Sequence, residues 1–539
     1  MIIISMRNVL VLAMLVALTA SCATKVVPAT KPTQQAKPAE SPRSIEKETP
    51  APALATNETL LCKLVPRPSK PFPTISPDGK RAAYVSWRDR TSFVVLDGVE
   101  GRAYDVIDEY LTFSPDSKHF AYAAVRDGKM FVVLDGVEHQ GGPNFLFSPD
   151  SQHFAYVTYE GNLHTPPNEA GLKWAVVLDG VKGKLYDDIA EGFAFSPDSK
   201  RFAYQVKQGD LCFAVIDGAE SKIQNRALWF RGQPRRVGWR DQYPHVGTFV
   251  FSPDSKHLAY AVARGVRTPS REILPDMALV LDEVIIGTAD LNANVAFSPD
   301  SQHFAYAAYD NERGTYIMRD GVRSGAYYNI LDLTFSPDSK RLTCIAQKDR
   351  GEYVIIDDVE RGPYDSVGRV LFSPDSKRFA YIAKRNDKSF VVLDGTELPN
   401  GYDPTALTFS PDSKHFAYIL STGYTPGQLT KWFVVLDGVA GRKYDSLACD
   451  YIFRFYGHSG NSGLAFSPDS KHLAYVASKG PEQSVLVVDG AESSPYIGVV
   501  PYPQVAFTAP DKCRVFMYKN AKLNEQDIVA LEASAPAEK

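Results

Sequence analysis

The sequence has no excess of charge of either sign, since 59 lysines and arginines stand against 63 aspartates and glutamates in 539 residues. Nucleic-acid-binding proteins usually carry a basic patch or stripe, and proteins held on anionic membrane surfaces carry a basic cluster. Neither pattern occurs here, so nucleic acid is not expected as a partner. The length exceeds that of one ordinary domain and predicts two or more folded units.

Long hydrophobic runs are also scarce. One short run, Val9 to Leu18, follows Arg7 and ends in the small residues before Cys22, which is the pattern of an export signal over residues 1–22. No later run approaches the roughly 20 apolar residues that span a bilayer. We therefore expect the rest of the chain to be soluble and any membrane contact to be made through the N-terminus only.

The end of this segment, Thr-Ala-Ser-Cys22, resembles the lipobox of bacterial lipoproteins. That resemblance implies that Cys22 is lipidated and becomes the mature N-terminus. With Ala23 following it, the resemblance also implies a bacterial envelope protein anchored in the outer membrane and facing the periplasm. The alternative is a plain secretory signal in which Cys22 is incidental.

Aromatic and large aliphatic residues are nearly absent from residues 23–59, which consist mainly of Pro, Ala, Lys, Glu, Thr and Ser. A segment of this composition cannot bury enough surface to fold. Proline-rich stretches also stay fairly extended. We predict a disordered tether that holds the folded part away from the membrane.

Cysteine is rare, with six in the chain, and the spacings are too wide for a zinc knuckle or a dense disulfide framework. Cys62 and Cys513 flank the repeated part of the sequence described below. We predict that they pair and lock its two ends together.

Motifs of common catalytic sites are missing as well. The sequence contains neither a His-Glu-x-x-His pattern nor a phosphate-binding glycine loop. Residues 457–461, Gly-His-Ser-Gly-Asn, are similar to a nucleophile elbow but end in Asn and lie in a predicted loop, not between a strand and a helix. We therefore predict no catalytic residue, no metal site and no cofactor.

What the sequence does contain is one decapeptide repeated along most of its length. Its clearest copy begins at Phe113 and reads Phe-Ser-Pro-Asp-Ser-Lys-His-Phe-Ala-Tyr. Internal repetition of this kind has to be interpreted before any single residue. The eleven copies begin at Ile75, Phe113, Phe147, Phe195, Phe251, Phe297, Phe335, Phe372, Phe409, Phe466 and Phe507.

Each repeat unit alternates short β-type runs with turn signals. In the second unit, residues 111–114, 120–125 and 130–134 are predicted to be strands. Ser-Pro-Asp-Ser is predicted to form a type I turn, and Asp135-Gly136 a tight hairpin before a weaker fourth strand. In two units the hairpin Asp-Gly is replaced, by Asp282-Glu283 in one and by Asp357-Asp358 in the other. Because a Glu resists positive φ, we expect another turn type there.

Four short strands per unit indicate a β-propeller blade. Ten intervals separate residues 75 and 507, which gives about 43 residues a unit. The Ser-Pro-Asp-Ser-Lys turn followed by Phe-Ala-Tyr resembles the WD40-like (PD40) repeats of TolB-type proteins, a family of periplasmic propeller modules. We predict an all-β fold of about 10–11 four-stranded blades.

The unit lengths favour two tandem rings. They run 38, 34, 48, 56 and 46 residues from Ile75, then 38, 37, 37, 57 and 41 from Phe297, so a long fourth member recurs. Eleven blades also exceed the four to eight typical of one ring. We predict propellers at 60–292 and 293–530 and a disordered tail at 531–539. A four-plus-seven division, with 221–247 as a linker, remains the alternative.

The repeated polar residues are interpreted as structural. The histidine of the decapeptide is replaced by arginine in other copies, as in Arg81 and Arg201, and arginine is a poor metal ligand. The aspartates of the turns and hairpins are expected to bind nearby backbone amides. The histidines are His119, His153, His257, His303, His415 and His472.

Variable loops are the better candidates for binding. In an up-and-down blade, the uniform turns share one face and the loops after strands two and four share the other. The long loops there are 159–173, 221–247, 263–277, 421–431 and 448–463. Binding residues concentrate in such loops, and Trp, Tyr and Arg are common interface hot spots. The candidates are Trp229, Arg231, Arg235, Arg236, Trp239, Arg240, Tyr243, Trp174 and Trp432. Packing of these aromatics onto the ring is an equal alternative.

Together these features predict a noncatalytic, lipid-anchored envelope scaffold. Its partner would be an envelope protein or a cell-wall component bound by the variable loops. The alternatives are a hydrolase or a small-ligand sensor with its site in the propeller channel; paired carboxylates would favour the hydrolase, and an apolar pocket the sensor.

Overall fold

A computed structural model describes most of the chain from residue 51 to residue 536. The gaps in this description are 65–72, 109, 162–170, 210, 224, 227–248, 268–272, 290–293, 311–313, 350, 399–401, 424–429, 448–462, 481–482, 500–504 and 523–524. The described residues form an all-β structure without helices, as predicted. No helix that could cross a bilayer occurs among them.

The strands make ten antiparallel sheets, nine of four or five strands and one of eight that contains two repeat units. We call the resulting eleven units blades 1 to 11 in chain order. Strand β1 (Thr56–Leu64) precedes blade 1 but pairs elsewhere. Blade 1 contains β2 (Thr74–Ile75), β3 (Ala82–Arg88), β4 (Thr91–Leu96) and β5 (Val99–Tyr104). Blade 2 contains β6 (Val106–Ile107), β7 (Thr112–Phe113), β8 (Phe120–Arg126), β9 (Lys129–Leu134) and β10 (Val137–Gln140). Blade 3 contains β11 (Phe145–Phe147), β12 (Phe154–Glu160), β13 (Lys173–Leu178) and β14 (Val181–Lys182).

The middle blades repeat this order. Blade 4 contains β15 (Asp188–Phe195), β16 (Phe202–Gln208), β17 (Leu211–Ile216), β18 (Ala219–Glu220) and β19 (Asn225–Arg226). Blade 5 contains β20 (Val250–Phe251), β21 (Leu258–Arg267), β22 (Ile273–Leu281) and β23 (Val284–Ala289). Blade 6 contains β24 (Val295–Phe297), β25 (Phe304–Asp310), β26 (Gly314–Arg319) and β27 (Val322–Tyr327). Blade 7 contains β28 (Asn329–Phe335), β29 (Leu342–Lys348), β30 (Gly351–Ile356) and β31 (Val359–Tyr364).

Among the last blades, only blade 11 takes its outer strand from a distant part of the chain. Blade 8 contains β32 (Ser366–Val367), β33 (Leu371–Phe372), β34 (Phe379–Arg385), β35 (Lys388–Leu393) and β36 (Thr396–Glu397). Blade 9 contains β37 (Tyr402–Phe409), β38 (Phe416–Ser421), β39 (Trp432–Leu436) and β40 (Val439–Ala440). Blade 10 contains β41 (Ser446–Leu447), β42 (Leu464–Phe466), β43 (Leu473–Ser478), β44 (Ser484–Val488) and β45 (Ala491–Glu492). Blade 11 contains β46 (Gly498–Val499), β47 (Ala506–Ala509), β48 (Lys512–Lys522) and β49 (Glu525–Ser534), with β1 paired to β49 at its edge.

Burial explains why the repeat folds into blades. The second and third strands are apolar on both faces and are buried, as β8 and β13 show, because each sheet is covered by a neighbour on either side. The fourth strands are mostly exposed and lie at the outer edge, as β5 shows. The core is therefore a series of apolar layers between successive blades.

The same contact joins blades 1 to 10 in sequence. In each case the backbone N–H of the turn aspartate donates to the hydroxyl of the second turn serine in the next blade, over 2.9–3.0 Å. The pairs are Asp78–Ser117, Asp116–Ser151, Asp150–Ser199, Asp198–Ser255, Asp254–Ser301, Asp300–Ser339, Asp338–Ser376, Asp375–Ser413 and Asp412–Ser470. Blades 5 and 6 share this hydrogen bond and are also joined by a strand pairing between Ala289 and Ala308.

The prediction of two rings was wrong. Blades 5 and 6 share an apolar cluster that includes Leu279 and Tyr306, so the structure continues through the predicted boundary near residue 290. Blade 11 packs on blade 10 and also on blade 1, where Phe516 meets Ile75. The blades form one closed series of eleven. Much of the additional length of the long units falls outside the described residues, and the apolar clusters of the described residues continue from blade to blade.

The predicted ends of the folded region also need correction. The predicted tether, 23–59, overlaps β1, and Leu54 is buried with its N–H donating to Glu492 O over 2.7 Å. The predicted tail, 531–539, overlaps β49, in which Leu531 is fully buried. Both segments look polar or small in isolation, and each becomes ordered by pairing with the other.

Candidate functional site

The Ser-Pro-Asp-Ser turn is held by its own side chains. In blade 2, the Ser114 hydroxyl donates to Asp116 Oδ1 over 2.6 Å and accepts from His119 N–H over 2.9 Å. The hydrogen bond from Ser114, followed by those from Lys118, holds the pKa of the Asp116 carboxyl well below its usual value. This aspartate is therefore committed to the turn, as predicted.

The exchange of histidine for arginine has a simple geometric reason. His119 Nδ1 lies 2.7 Å from Asp135 Oδ2, and Arg81 Nε lies 2.9 Å from the equivalent oxygen of Asp97. Both side chains also cover the first phenylalanine of the next blade. The His119 ring stacks on Phe147 with centroids 6.4 Å apart, and the Arg81 guanidinium carbon lies 5.4 Å from the centroid of the equivalent ring.

The contact between the decapeptide and the hairpin aspartate also shows that both uniform turns lie at the same end of the blade. We call this end the turn face and the opposite end the loop face. The repeated Ser, Asp and His or Arg side chains of the turn face join strands and neighbouring blades. These side chains therefore have a structural role at the turn face.

This interpretation predicts different effects for two substitutions of one hairpin aspartate. Asp437 Oδ1 accepts from the N–H of buried Phe416 over 2.9 Å, and Asp437 Oδ2 lies 2.7 Å from His415 Nδ1. Asp437→Ala should lower the free energy of unfolding by about 1–3 kcal/mol, because it leaves that N–H without an acceptor. Asp437→Asn keeps an acceptor and should cost much less. Urea denaturation measures both variants, and equal losses would mean that the charge, not the hydrogen bond, is what matters.

The expected change of hairpin type in two blades was wrong. Asp282 and Glu283 both have positive φ, 48° and 63°, as do Asp357 and Asp358 with 52° and 63°. The Glu283 carboxylate accepts from the hydroxyls of Ser221 and Tyr260, over 2.7 and 2.8 Å. These bonds offset the backbone strain of a non-glycine residue in this conformation.

The Tyr-Asp pairs of the sequence form a second connection between blades, near the loop face. Tyr104 donates to Glu138 Oε1 of the next blade over 2.7 Å. Burial raises the pKa of Tyr104, and hydrogen bonds from Arg126 lower the pKa of Glu138 to about 2. Sequence reasoning missed the glutamate, which stands three positions after the hairpin Asp135. Equivalent pairs are Tyr186–Glu220, Tyr444–Glu492 and Tyr496–Glu58.

All five long loops start and end on the loop face. Two connect second and third strands, β12 to β13 and β38 to β39, and one connects a fourth strand to the next first strand, β19 to β20. Another lies between β41 and β42, which both pair with the second strand of blade 10. The fifth, 263–277, is largely paired and not a loop as predicted. There β21 and β22 continue their ladder as far as Arg267 and Ile273. We call residues 263–277 the hairpin arm.

The hairpin arm projects beyond its neighbours. Its ladder contains nine pairs, whereas the corresponding ladder of β8 and β9 contains six. Three additional residues per strand extend it by about 10 Å. Strand β19 contacts β21 and is the last described strand before residues 227–248, which contain the richest predicted cluster.

The predicted binding residues have different outcomes. Trp229, Arg231, Arg235, Arg236, Trp239, Arg240 and Tyr243 lie outside the described residues, as does Cys22. Trp174 and Trp432 are buried, with 7% and 8% of their surface exposed, and each packs between its own blade and the next. Their selection as contact residues was wrong, because they start third strands and face the adjacent blade.

The predicted disulfide is not formed in the structure. Cys513 is a free thiol in β48, opposite Ala533, and burial raises its pKa to about 12. Cys62 belongs to β1, opposite Ile528. Strand β49 lies between them, and two strand spacings of about 4.8 Å exceed the roughly 7 Å between Cα atoms that a disulfide spans.

A groove of about 240 Å³ opens on the turn face between blades 2 and 3. Its lining includes His139, Tyr156, Phe147 and Phe154. The sequence did not lead to a prediction of this groove, because candidate binding residues were chosen only in the loops of the opposite face. One feature of the sequence could have indicated the groove. His139 occupies the position that glycine holds in blades 1 and 3, as Gly101 and Gly183.

No protein-family model matches the sequence, and no curated protein matches it. Solved structures similar to this chain include hydrazine synthase of Kuenenia stuttgartiensis, with 14% identity over 60% of this chain and 95% of the other and a TM-score of 0.25. TolB of Acinetobacter baumannii has 17% identity over 44% and 62%, with a TM-score of 0.21. The β-propeller domain of the Trilobed protease of Pyrococcus furiosus has 11% identity over 66% and 98%, with a TM-score of 0.26. The chain is a multi-blade β-propeller protein; membership of the TolB-type repeat family stays a prediction.

Proposed function

We propose that this protein is a noncatalytic scaffold that binds an envelope protein or a cell-wall component through its loop face. One observation carries the proposal. The repeated polar side chains of the turn face are used to join blades, whereas all five long connections, including the projecting hairpin arm, emerge from the opposite face. A rigid ring that presents variable segments on one face is suited to binding.

The arrangement around the ring supports a broad contact. The long connections belong to blades 3–5 and to blades 9–10, which are about half of an eleven-blade ring apart. A partner spanning the face would meet both groups. The segment 227–248, with Trp229, Arg235 and Trp239, follows β19 and is the proposed centre of the contact because these residue types dominate interface energies.

The lipid anchor at Cys22 and a position at the outer membrane facing the periplasm are part of the same proposal. They rest on the export-signal pattern of residues 1–22. β1 starts at Thr56, so about 30 residues separate Cys22 from the ring. An extended chain of this length spans on the order of 90 Å, which would let the ring reach partners away from the membrane.

Cross-linking in intact envelopes, followed by identification of the captured partner, tests this proposal. The triple variant Trp229→Ala, Arg235→Ala, Trp239→Ala should lower capture by at least about tenfold, since hot-spot truncations cost about 2 kcal/mol or more each. Lys414→Ala is the control, because its side chain is 78% exposed on the turn face. Cys22→Ala should move the protein out of the membrane fraction.

Undiminished capture by the triple variant would reject the loop face as the binding surface. Unchanged fractionation of Cys22→Ala would reject the anchor. Equal losses in the triple variant and in Lys414→Ala would indicate nonspecific cross-linking and would reject the proposed contact.

A further inference from the structure

The groove between blades 2 and 3 is a candidate ligand site that differs from the proposed contact in face and in chemistry. Its walls come from the outer part of blade 2, with Leu134 and His139, and from blade 3, with Phe147, Phe154 and Tyr156. The volume, about 240 Å³, is below the roughly 300–1,000 Å³ of drug-sized sites. The groove therefore suits a group of one or two rings.

The repeat departs from its pattern on both sides of this groove. His139 is the fourth residue after the hairpin aspartate of blade 2. In blades 5 and 8 this position holds Ile286 and Leu398, which pack against the next blade. In blades 1 and 3 it holds glycine. On the other wall, Gln152 replaces the lysine that follows the turn in most copies.

A third departure lies deeper in the same interface. Blade 1 inserts the connector Tyr104 against Tyr122 of blade 2, with ring centroids 6.1 Å apart. The equivalent position of blade 2, seven residues after the hairpin aspartate, is Gly142. Blade 2 therefore has no ring to place against Tyr156, and the His139 ring lies there instead, with centroids 5.5 Å apart.

Two of the polar side chains that line the groove are unused, whereas others already bond one another. Within the part of the chain that the structure describes, neither the ring nitrogens of His139 nor the hydroxyl of Tyr156 has a hydrogen-bond partner. In contrast, Tyr306, the residue equivalent to Tyr156 in blade 6, donates to Ile286 O over 3.2 Å. Polar groups at a partly buried site are usually paired, so these two are available to a ligand.

The geometry points to a small aromatic ring with a single hydrogen-bonding group, a phenol or an indole, as the occupant of this groove. Phe147, Phe154 and Leu134 supply apolar walls for the ring. His139 and Tyr156 supply an acceptor and a donor for its hydroxyl or N–H. No cluster suited to a metal ion occurs among the described residues.

Such a ring has two possible sources, a free small molecule or a Tyr or Trp side chain of a bound protein. Both present the same chemistry to the groove. They differ in the backbone attached to the ring, which only the second source carries. N-acetyltyrosinamide and 4-fluorophenol therefore distinguish them as probes.

Binding of 4-fluorophenol to the full-length protein, followed by fluorine NMR, tests the inference. We expect 4-fluorotoluene, which has the same shape without the hydroxyl, to bind about tenfold more weakly. Tyr156→Phe should weaken 4-fluorophenol about three- to tenfold and leave 4-fluorotoluene unchanged. His139→Leu, which has a similar volume and no ring nitrogens, should weaken 4-fluorophenol about three- to tenfold and leave 4-fluorotoluene unchanged.

Tyr306→Phe is the matched control, because it removes a tyrosine hydroxyl at the equivalent position of a filled interface. It should leave binding unchanged, and thermal unfolding checks that every variant is folded. Absence of binding, equal affinity for the two fluorinated probes, or an unaltered affinity in Tyr156→Phe would overturn the inference. Binding of N-acetyltyrosinamide would support a protein side chain as the source, and binding of 4-fluorophenol alone would support a free molecule.

Discussion

Leu64→Ala is expected to lower the free energy of unfolding by about 2–5 kcal/mol, the range for deleting a well-buried leucine side chain. Leu64 is 3% exposed and ends β1. Its side chain packs with Phe516 and Ile528 of blade 11 and with Ile75 of blade 1. The substitution therefore leaves a cavity at the junction where the last blade meets the first.

Leu60→Ala is the matched control in the same strand. Leu60 is 51% exposed, so its truncation should change stability by no more than about 0.5 kcal/mol. Urea denaturation measures both variants. Limited proteolysis adds a local readout, since Leu64→Ala should expose blade 11 to cleavage before the other blades. Equal stability of the two variants would show that β1 does not close the ring.

Gly79→Ser should destabilise the protein although it restores the serine that most other copies have. Gly79 has φ +70°, and a Cβ there would lie 2.8 Å from both Arg514 Nη1 and Phe516 Cζ. Arg514 Nη1 also donates to Asp78 O over 2.9 Å. Overpacking should cost about 1–3 kcal/mol in addition to the backbone strain.

The comparison with Gly98→Ser isolates this steric cost. Gly98 has φ +82°, and no atom lies within 4 Å of a Cβ built there, so only backbone strain of about 1–2 kcal/mol is expected. Chemical denaturation of both variants gives the difference. If Gly79→Ser costs no more than Gly98→Ser, then blade 11 does not press on the first turn, and the described closure is incorrect.

Gly79 is a departure from the repeat that marks a particular interface. At the other turns this position holds a serine with φ of 60–66°, whose hydroxyl accepts from the preceding blade. Blade 11 has no equivalent aspartate turn and instead places Arg514 against blade 1. The departures from the repeat at Gly79 and after Phe507 therefore belong to one interface, the place where the ring closes.

The blades were predictable because their determinants are local. A proline and serines set the turn, Asp-Gly sets the hairpin, and alternating apolar runs set the strands, all within about 40 residues. The structural roles of Asp116 and His119 followed from the same short range. The Tyr104–Glu138 bond was missed because its partners belong to different repeat units.

The candidate site was predictable only in part. The placement of the long connections on one face followed from strand order, and the strand bounds agree with it. The choice of Trp174 and Trp432 was wrong because the sequence does not distinguish a tryptophan in a loop from one that begins a strand. The groove at His139 was not predicted because its walls come from two blades, and the sequence alone does not show how those blades pack.

The sequence by itself determined the blade, its turn chemistry and the number of copies, since each depends on residues close together in the chain. Only the tertiary structure decided that the copies form one closed ring. Closure depends on β1 pairing with β49, between residues such as Glu58 and Leu531 that are far apart in the chain. Neither strand has a distinctive pattern alone, and the free energy that orders them comes from burial between blades 10, 11 and 1.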